Sequence, residues 1–225
     1  MRFPENRSVT DQIFPPKQIM DNSVDQKLPV YIVFIDFKQA YDIVKREKVY
    51  EATRGLGIPS KYIKLVKMTL KETNYKVQVN GNTSKKFKVS KSPKQGDPLS
   101  KELFHIVLDK AIKDTRLPTS RTLYNQLSQI MTYADDIVIL TRNKGNLIEA
   151  IRKLIRAAKD QGLEINECKT KYMVMVLNEQ QKGQDANLVV SAENGKHYYF
   201  ERVGNFNYLG ATLKDSGKEK IEILL

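Results

Sequence analysis

The strongest constraint on the fold comes from the segment MTYADDIVIL (residues 131–140), which places Asp135 and Asp136 between two short apolar runs. The flanking residues are β-branched and aliphatic, a composition typical of two buried strands that pair as a hairpin. Adjacent carboxylates repel each other, and an unpaired charge beside apolar surface costs free energy. The pair therefore lies either at a solvated turn or at a place where a cation binds.

The composition indicates a folded, basic protein. The chain has 225 residues, of which 40% are hydrophobic and 28% charged, so it can form a sizeable core. Its 38 lysines and arginines exceed its 26 aspartates and glutamates, which gives a formal net charge of +12. That excess favours a polyanionic partner such as nucleic acid, or an anionic membrane surface.

Single residues and short segments disfavour several other classes of protein. Cys168 has no second cysteine with which to form an internal disulfide, which is typical of a reducing intracellular setting. With His105 and His197 as the two histidines, a zinc site of the usual type is not expected. The first twenty residues lack the apolar core of a signal peptide, and the longest apolar run, residues 30–35, is too short to span a bilayer. We therefore expect a soluble intracellular protein without a membrane partner, in an unspecified compartment.

Several segments have the composition of strands. PVYIVFID is an apolar run that ends at Asp36, and LSQIMTY and IVILT flank the aspartate pair. YKVQVNGNTSKKFKV alternates around Asn80-Gly81, a dipeptide that favours a tight hairpin turn. KYMVMV and HYYFERV predict two further strands.

Helical patterns are interspersed with these strands. SVTDQIF can open a short helix before Pro15 and Pro16, which are expected to interrupt regular structure. Ser100 can cap a helix over residues 101–113, and KGNLIEAIRKLIRAAKDQG predicts an amphipathic helix that ends at Gly162. Because helices and hairpins mix along the chain, the predicted class is α+β, with a mostly antiparallel sheet packed on helices.

The carboxylates are expected to meet at one edge of that sheet. A hairpin places Asp135 and Asp136 at its tip, and Asp36 ends a strand that can lie beside it. Such a cluster needs divalent cations, and Mg²⁺ prefers carboxylate oxygens together with substrate phosphates. Two ions about 4 Å apart can activate a 3′-hydroxyl and stabilise leaving pyrophosphate. The plainer interpretation is an acidic turn and an ordinary strand end, which the aspartates alone do not exclude.

Five segments of the sequence are informative together, namely FIDFKQAYD, KQGDPLSKELFHIVLD, YADD, GLEINECKTKYM and FNYLGATL. Together they resemble the reverse transcriptases. YADD resembles the palm signature of that family, FIDFKQAYD its first palm motif, and KQGDPLSKELFHIVLD the segment that opens a template- and nucleotide-contacting helix. GLEINECKTKYM resembles the next motif and FNYLGATL the primer grip, and all five occur in family order. Together with NRSVTDQIF near the start, the sequences of these motifs are similar to those of retrotransposons without long terminal repeats. The resemblance covers about residues 5–213 and implies a polymerase palm with partial fingers.

The resemblance implies a metal site and a proton donor. Asp36 and Asp135 would bind two Mg²⁺ ions, for which Mn²⁺ could substitute, while Asp136 supports the cluster. The Phe37 carbonyl would add one more ligand. Lys169 matches the lysine proposed in the family as the general acid that protonates pyrophosphate. A lone lysine is also common on a solvated surface, so both interpretations of Lys169 stay open.

The resemblance also implies contacts to an RNA template, a DNA primer and deoxynucleoside triphosphates. Tyr41, five residues after Asp36, would be the aromatic steric gate that excludes a 2′-hydroxyl, and Gln95 and Gly96 would line the nucleotide pocket. The residues expected at the primer are Tyr133, Tyr208, Leu209 and Gly210. The basic excess would neutralise template and primer phosphates.

The ends of the chain and two internal positions depart from the family pattern. Lys94 and Lys101 stand where the family usually has Arg and Pro. We expect residues 1–28 to be a remnant of the fingers, 29–200 the palm, and 201–225 the primer-grip hairpin with a truncated start of the thumb. Other retroelement segments are therefore candidate partners.

Three function hypotheses are compared. The first is an RNA-directed DNA polymerase domain that uses two metal ions. The second is a catalytically inactive retroelement remnant that at most binds nucleic acid. The third, a generic RNA-binding domain, predicts exposed aromatic platforms or a known RNA-binding motif, and it leaves the three aspartates unexplained.

Overall fold

The computed structural model describes residues 10–38, 46–70, 73–89, 98–117, 128–133, 136–175 and 187–216. Within these ranges the helices are α1 (Thr10–Asp25), α2 (Arg46–Gly55), α3 (Ser60–Leu70), α4 (Pro98–Asp114) and α5 (Lys144–Asp160). The strands are β1 (Val30–Ile35), β2 (Thr73–Tyr75), β3 (Gln78–Val79), β4 (Asn82–Thr83), β5 (Phe87–Val89), β6 (Ser128–Tyr133), β7 (Asp136–Thr141), β8 (Lys171–Met175), β9 (Leu188–Ser191), β10 (His197–Arg202), β11 (Asn205–Tyr208) and β12 (Ala211–Lys214). None of these helices is long and apolar enough to cross a membrane.

Six strands form one sheet in the order β6-β7-β1-β8-β10-β9. Neighbouring strands are antiparallel except β8 and β10, which run parallel. The predicted α+β class with a mostly antiparallel sheet is therefore confirmed. Strand β9 is not evident from the sequence patterns, and it completes the sheet by pairing along β10.

Strand β1 lies inside the sheet and is covered on both faces. Val33 and Ile35 belong to the side that packs against α2, α4 and α5, which we call the helix face. Ile32 and Phe34 belong to the opposite side, covered by α1 and the β11–β12 hairpin, which we call the hairpin face. Because both faces of β1 are buried, its sequence is a continuous apolar run rather than an alternating one.

Helix α5 forms much of the cover on the helix face. Asn143 caps its first turn, because its side-chain oxygen accepts hydrogen bonds from the backbone N–H of Gly145 at 2.6 Å and of Asn146 at 3.4 Å. The chain leaves the helix through Gly162, whose φ of 80° is readily adopted by glycine. The predicted amphipathic helix and its end at Gly162 are confirmed.

The predicted hairpin turn at Asn80-Gly81 is also confirmed. Gln78 pairs with Thr83 on either side of the turn, and φ is 48° at Asn80 and 82° at Gly81. Two consecutive positive φ values match the right-handed twist of the flanking strands, and Asn-Gly adopts them at low cost.

The start of α4 differs from the prediction. The helix begins at Pro98, so Ser100 lies inside its first turn, where it is buried. Proline is favoured at the first helical position because its fixed φ suits the helix and its missing N–H has no intrahelical partner there. The prediction that Ser100 caps this helix is therefore wrong.

Helix α1 continues through Pro15 and Pro16, so the prediction that these prolines interrupt it is wrong. An interior proline removes an intrahelical hydrogen bond and disfavours the helix. Beyond the prolines, however, α1 buries Ile19 and Met20 against the hairpin face. Arg142 also donates a 2.7 Å hydrogen bond to the hydroxyl of Ser23, a buried residue of α1. This tertiary packing offsets the local cost of the prolines.

Candidate active site

The β1–β7 register brings Asp36 and Asp136 to the same end of the sheet. Ile35 pairs with Ile137, so one further step along the antiparallel ladder places Asp36 opposite Asp136. Alternation along each strand puts both carboxylates on the hairpin face. The expected approach of Asp36 to the hairpin is thus found for Asp136, whereas Asp135 lies outside the described residues.

Phe37 continues β1 by one antiparallel bridge to Ile165. The two hydrogen bonds of this bridge are made by the flanking residues: the Lys38 N–H donates to the Glu164 carbonyl and the Asn166 N–H donates to the Asp36 carbonyl, each at 2.8 Å. In such a pair, the N–H and C=O groups of the central residue point away from the partner segment. The Phe37 carbonyl is therefore turned toward the β7 side, where Asp136 begins its strand.

Asp36 is held by a turn that we call the 166–170 turn. The Asn166 Nδ2 group donates to Asp36 Oδ2 at 3.1 Å, and the Asn166 N–H donates to the Asp36 carbonyl at 2.8 Å. The Asp36 N–H donates to Oγ1 of the buried Thr170 at 3.2 Å. A 2.9 Å bond from the Thr170 N–H to the Asn166 carbonyl closes the turn. One short segment thus fixes both the backbone and the carboxylate of Asp36.

A cavity of about 370 Å³ opens beside these carboxylates, and Lys169 and Lys171 both line it together with Asp36 and Asp136. The two lysines differ in their contacts. Lys171 Nζ donates to the Cys168 carbonyl at 2.7 Å and forms an ion pair with Glu201 of β10 at 2.5 Å. Lys169 is exposed. The structure therefore places the predicted proton donor on the same cavity as two of the predicted metal ligands.

The β11–β12 hairpin contributes to the wall of the same cavity. Its turn is Leu209-Gly210, with φ values of 51° and 82°, and Tyr208 pairs with Ala211 across it. Two positive φ values define a tight two-residue hairpin turn, and glycine at the second position favours it. The predicted tight turn is confirmed, while its contact with a primer stays a prediction.

Aromatic packing holds this hairpin on β1. The rings of Phe34 and Phe206 stack with centroids 4.2 Å apart, and the Tyr208 ring lies 5.8 Å from that of Phe34. Tyr208 is 3% exposed. Burial raises the pKa of the Tyr208 phenol, and the negative charge of Asp136 raises it further. The phenol is therefore protonated at neutral pH.

Other predicted site residues fall outside the described part of the chain. These are Tyr41, Gln95 and Gly96, in addition to Asp135. Tyr133 ends β6 and pairs with Asp136, but its side chain is likewise not described. The roles of these residues stay predictions.

The structure adds residues that the sequence patterns do not single out. Asn166 and Thr170 contact Asp36, and Phe34 and Phe206 form the aromatic wall. Asn166 lies 130 positions from Asp36, so no local periodicity reports their contact. The available signal is their position inside the motif-like segments FIDFKQAYD, GLEINECKTKYM and FNYLGATL.

Comparison with solved structures places the fold among polymerase palms. The telomerase of Candida tropicalis in complex with a TWJ fragment of telomeric RNA matches with a TM-score of 0.65 at 14% identity, over 96% of this chain and 33% of that chain. The corresponding Candida albicans telomerase matches with a TM-score of 0.58 at 14% identity, over 92% of this chain and 34% of that chain.

The family follows from the sequence itself. A family model described as "Reverse transcriptase (RNA-dependent DNA polymerase)" matches residues 1–213, so the chain belongs to the reverse transcriptase family. The chain is 24% identical over 195 residues to the Pol polyprotein of the retrotransposable element R2DM of Drosophila melanogaster, covering 84% of this chain and 18% of that protein. It is 23% identical over 198 residues to the R2 Pol polyprotein of Nasonia vitripennis, covering 86% and 19%.

These relatives confirm the resemblance to retrotransposons without long terminal repeats. The chain spans less than a fifth of the length of the two Pol polyproteins, at 18% and 19%.

Membership of the reverse transcriptase family implies a divalent metal ion, and the residues at the sheet end fit one. Asp36 and Asp136 offer carboxylate oxygens on the hairpin face, and the Phe37 carbonyl points toward β7, the strand that begins with Asp136. Hard cations prefer such oxygen ligands. Among the residues that the structure describes, no group of three or more His, Cys, Asp and Glu side chains could hold a metal ion. The described part supplies two of the three predicted carboxylates, because Asp135 lies outside it.

Proposed function

We propose that this site catalyses RNA-directed DNA synthesis, in which a deoxynucleotide is transferred to the 3′ end of a DNA primer on an RNA template. The observation that carries the proposal is the position of Asp36 and Asp136 on one face at the ends of adjacent strands, beside Lys169. Membership of the reverse transcriptase family supports the same reaction.

The aspartates would hold two Mg²⁺ ions, or Mn²⁺ in their place. Asp36 and Asp136 would act together with Asp135 and the Phe37 carbonyl as oxygen ligands. When bound, the ions would activate the primer hydroxyl and stabilise the leaving pyrophosphate. The contribution of the chain is a rigid sheet end, since Asp36 is hydrogen-bonded at its backbone and at its carboxylate.

Lys169 would donate a proton to pyrophosphate as it leaves. Its exposed position at the cavity supports this role. Lys171, the other lysine of the cavity, is engaged by the ion pair to β10 and is the weaker candidate. Asp36 and Asp136 lie in the same cavity, which would keep the proton donor close to the reacting phosphates.

The substrates would be an RNA template, a DNA primer and deoxynucleoside triphosphates. We propose that the nucleotide is bound by Tyr41, Gln95 and Gly96. The primer would be bound by residues of two hairpins: Tyr133, Tyr208, Leu209 and Gly210. The net charge of +12 supports binding of a polyanion, and we expect binding to weaken strongly with added salt. We also propose that residues 29–200 form the palm, 1–28 part of the fingers, and 201–225 the primer-grip hairpin and the start of the thumb.

Primer extension tests the proposal. The purified chain is given poly(rA)/oligo(dT), dTTP and Mg²⁺ or Mn²⁺, and compared with Asp136→Asn and with the Asp135→Asn, Asp136→Asn double variant. We expect a loss of more than about 100-fold, because removing a direct metal ligand costs at least as much as removing a residue that orients one. Asp160→Asn, which changes an exposed aspartate at the end of α5, is the matched control and should extend like the wild type.

Two outcomes contradict the proposal. If the folded wild type binds the primer duplex without extending it, the chain is a catalytically inactive remnant that binds nucleic acid. If extension persists undiminished in both aspartate variants, the activity does not come from this site.

A further inference from the structure

We propose that Asn166 is a positioning residue for this reaction: its amide orients the Asp36 carboxylate and links it to the turn that carries Lys169. The inference rests on the proposed function of the site. It concerns a residue that contacts the metal ligand rather than the substrate, and its effect should therefore be visible in metal binding as well as in turnover.

The side chain of Asn166 acts on the carboxylate rather than on the turn. Other bonds already join the turn to the Asp36 backbone: the Asn166 N–H donates to the Asp36 carbonyl at 2.8 Å, the Asp36 N–H donates to the Thr170 hydroxyl at 3.2 Å, and that hydroxyl lies 3.5 Å from the Asp36 carbonyl. The additional 3.1 Å bond from Asn166 Nδ2 engages Asp36 Oδ2. Because it holds one carboxylate oxygen, this bond restricts rotation of the Asp36 carboxylate about its Cβ–Cγ bond. The carboxylate is thus oriented before a cation arrives.

The turn is itself fixed from outside, so it can serve as a rigid support. Glu164 accepts hydrogen bonds from Lys38 Nζ at 3.0 Å and from Lys196 Nζ at 3.4 Å. Glu167 accepts a 3.2 Å bond from the backbone N–H of Tyr199 in β10. These contacts tie the residues on both sides of Asn166 to the segment after β1, to the residue before β10 and to β10 itself.

The same turn carries Lys169, three residues after Asn166. A carboxylate that rotates or shifts relative to this turn also changes its separation from the proton donor. Asn166 therefore couples the position of a metal ligand to that of the proposed general acid. Residues that hydrogen-bond metal ligands in this way typically contribute 10- to 100-fold, in order of magnitude, to metal affinity or activity.

The test uses the full chain and two readouts. Mn²⁺ binding is titrated by electron paramagnetic resonance without nucleic acid or nucleotide, and the Mg²⁺ concentration at half-maximal primer extension is measured with saturating substrates. For Asn166→Ala we expect the Mn²⁺ Kd and the half-maximal Mg²⁺ concentration each to rise by about 10- to 100-fold. Asn166→Ser, whose shorter side chain cannot span the distance to Asp36 Oδ2, is expected to behave alike and serves if the alanine variant does not fold.

Asn143→Ala is the matched control. It removes the cap of α5 and should lower the melting temperature, yet it should leave both metal readouts unchanged. An Asn166→Ala chain that extends slowly with a wild-type Mn²⁺ Kd and wild-type Mg²⁺ dependence would overturn the inference, since Asn166 would then have a structural role alone. A wild-type chain that binds Mn²⁺ and extends primers in that experiment leaves the proposed function standing. A wild-type chain that neither binds Mn²⁺ nor extends primers overturns both proposals.

Discussion

The two faces of the sheet are both apolar, but they are covered in different ways. The helix face packs against α2, α4 and α5, and its cluster includes fully buried residues such as Ile139 and Ile151. The hairpin face is covered by α1 and by the β11–β12 hairpin, and beside this smaller cluster lies the cavity with Asp36 and Asp136. The carboxylates thus lie on the face with the lighter cover, where a cation and phosphates can reach them.

Neighbouring positions on the same strands alternate between a buried apolar residue and an aspartate at the cavity. Ile137 is buried on the helix face, and Asp136 beside it belongs to the hairpin face. Phe37 and Asp36 stand in the same relation at the end of β1. The alternation of a β-strand therefore fixes each carboxylate next to a buried anchor without burying the charge.

The largest effect should come from removing a buried side chain on either face. Ile139 on the helix face and Ile32 on the hairpin face are both fully buried, at 0% exposure. We expect Ile139→Ala and Ile32→Ala each to lower the free energy of unfolding by about 2–5 kcal/mol, because each leaves a cavity. Denaturant unfolding measures the change.

An exposed apolar residue provides the control for this pair. Leu65 of α3 is 56% exposed, so Leu65→Ala should change the free energy of unfolding by less than about 0.5 kcal/mol. A cost for Ile32→Ala near that of the control, with a full cost for Ile139→Ala, would mean that the hairpin face is not packed by α1 and β11–β12.

Local signals in the sequence predict much of this architecture. The apolar run of β1, the turn at Asn80-Gly81 and the helix that ends at Gly162 each depend on neighbouring residues, and each is found. The approach of Asp36 to the hairpin also follows, because a strand end and a hairpin tip meet at one edge of a sheet.

Features that depend on distant partners are not predictable in this way. Helix α1 persists through two prolines because Ile19 and Met20 are buried against strands far along the chain. The bond from Asn166 to Asp36 joins residues 130 positions apart, so neither composition nor periodicity reports it. For the site, the sequence predicts which residues would carry the chemistry but not which ones hold them in place.

Alkaline pH should lower the stability contribution of the hairpin face in particular, because that face carries a buried tyrosine next to a carboxylate. The pKa of Tyr208 is raised above its ordinary value of 10.0 by burial and by Asp136. The folded state therefore holds the phenolic proton more tightly than the unfolded state, so this contribution to stability is complete below pH 10 and is lost as the pH rises further. The loss for one such group is about 1.4 kcal/mol per pH unit.

Tyr208→Phe removes this titration while keeping the ring. We expect the free energy of unfolding of the wild type to fall more steeply between pH 10 and 11 than that of Tyr208→Phe, as measured by urea unfolding at each pH. Other tyrosines and the lysines titrate equally in both proteins and cancel in the difference. Parallel curves above pH 10 would show that Tyr208 is not held in the buried position beside Asp136.

The turns of two hairpins offer a matched pair of glycines with a smaller effect. Gly210 in the β11–β12 turn and Gly81 in the β3–β4 turn both have φ of 82°, and a Cβ at either would meet nothing within 4 Å. Alanine at each should therefore cost about 1 kcal/mol through backbone strain alone. We expect Gly210→Ala, and not Gly81→Ala, to raise the Kd for a primer duplex, measured by fluorescence anisotropy. Equal changes in Kd would remove the support for β11–β12 as the primer-binding hairpin.

The smallest effect should come from the ion pairs that anchor the turn carrying Lys169. Glu164 lies 3.0 Å from Lys38 Nζ and 3.4 Å from Lys196 Nζ, and its side chain is 44% exposed. We expect Glu164→Gln to lower the free energy of unfolding by less than about 1 kcal/mol, because exposed ion pairs are weakened by solvent and salt.

The pH dependence of this difference tests its origin. The hydrogen bond from Lys38 holds the pKa of Glu164 below its ordinary value of 4.5, so the charged form is favoured in the folded state. Its contribution is complete above that value and is lost as the pH falls through the lowered pKa. The wild type and Glu164→Gln should therefore differ at pH 7 and converge in acid, as followed by thermal unfolding at both pH values. A difference that persists unchanged at pH 3 would show that the effect comes from the changed hydrogen-bonding groups of the side chain and not from its charge. The 166–170 turn would then be anchored by neutral hydrogen bonds rather than by ion pairs.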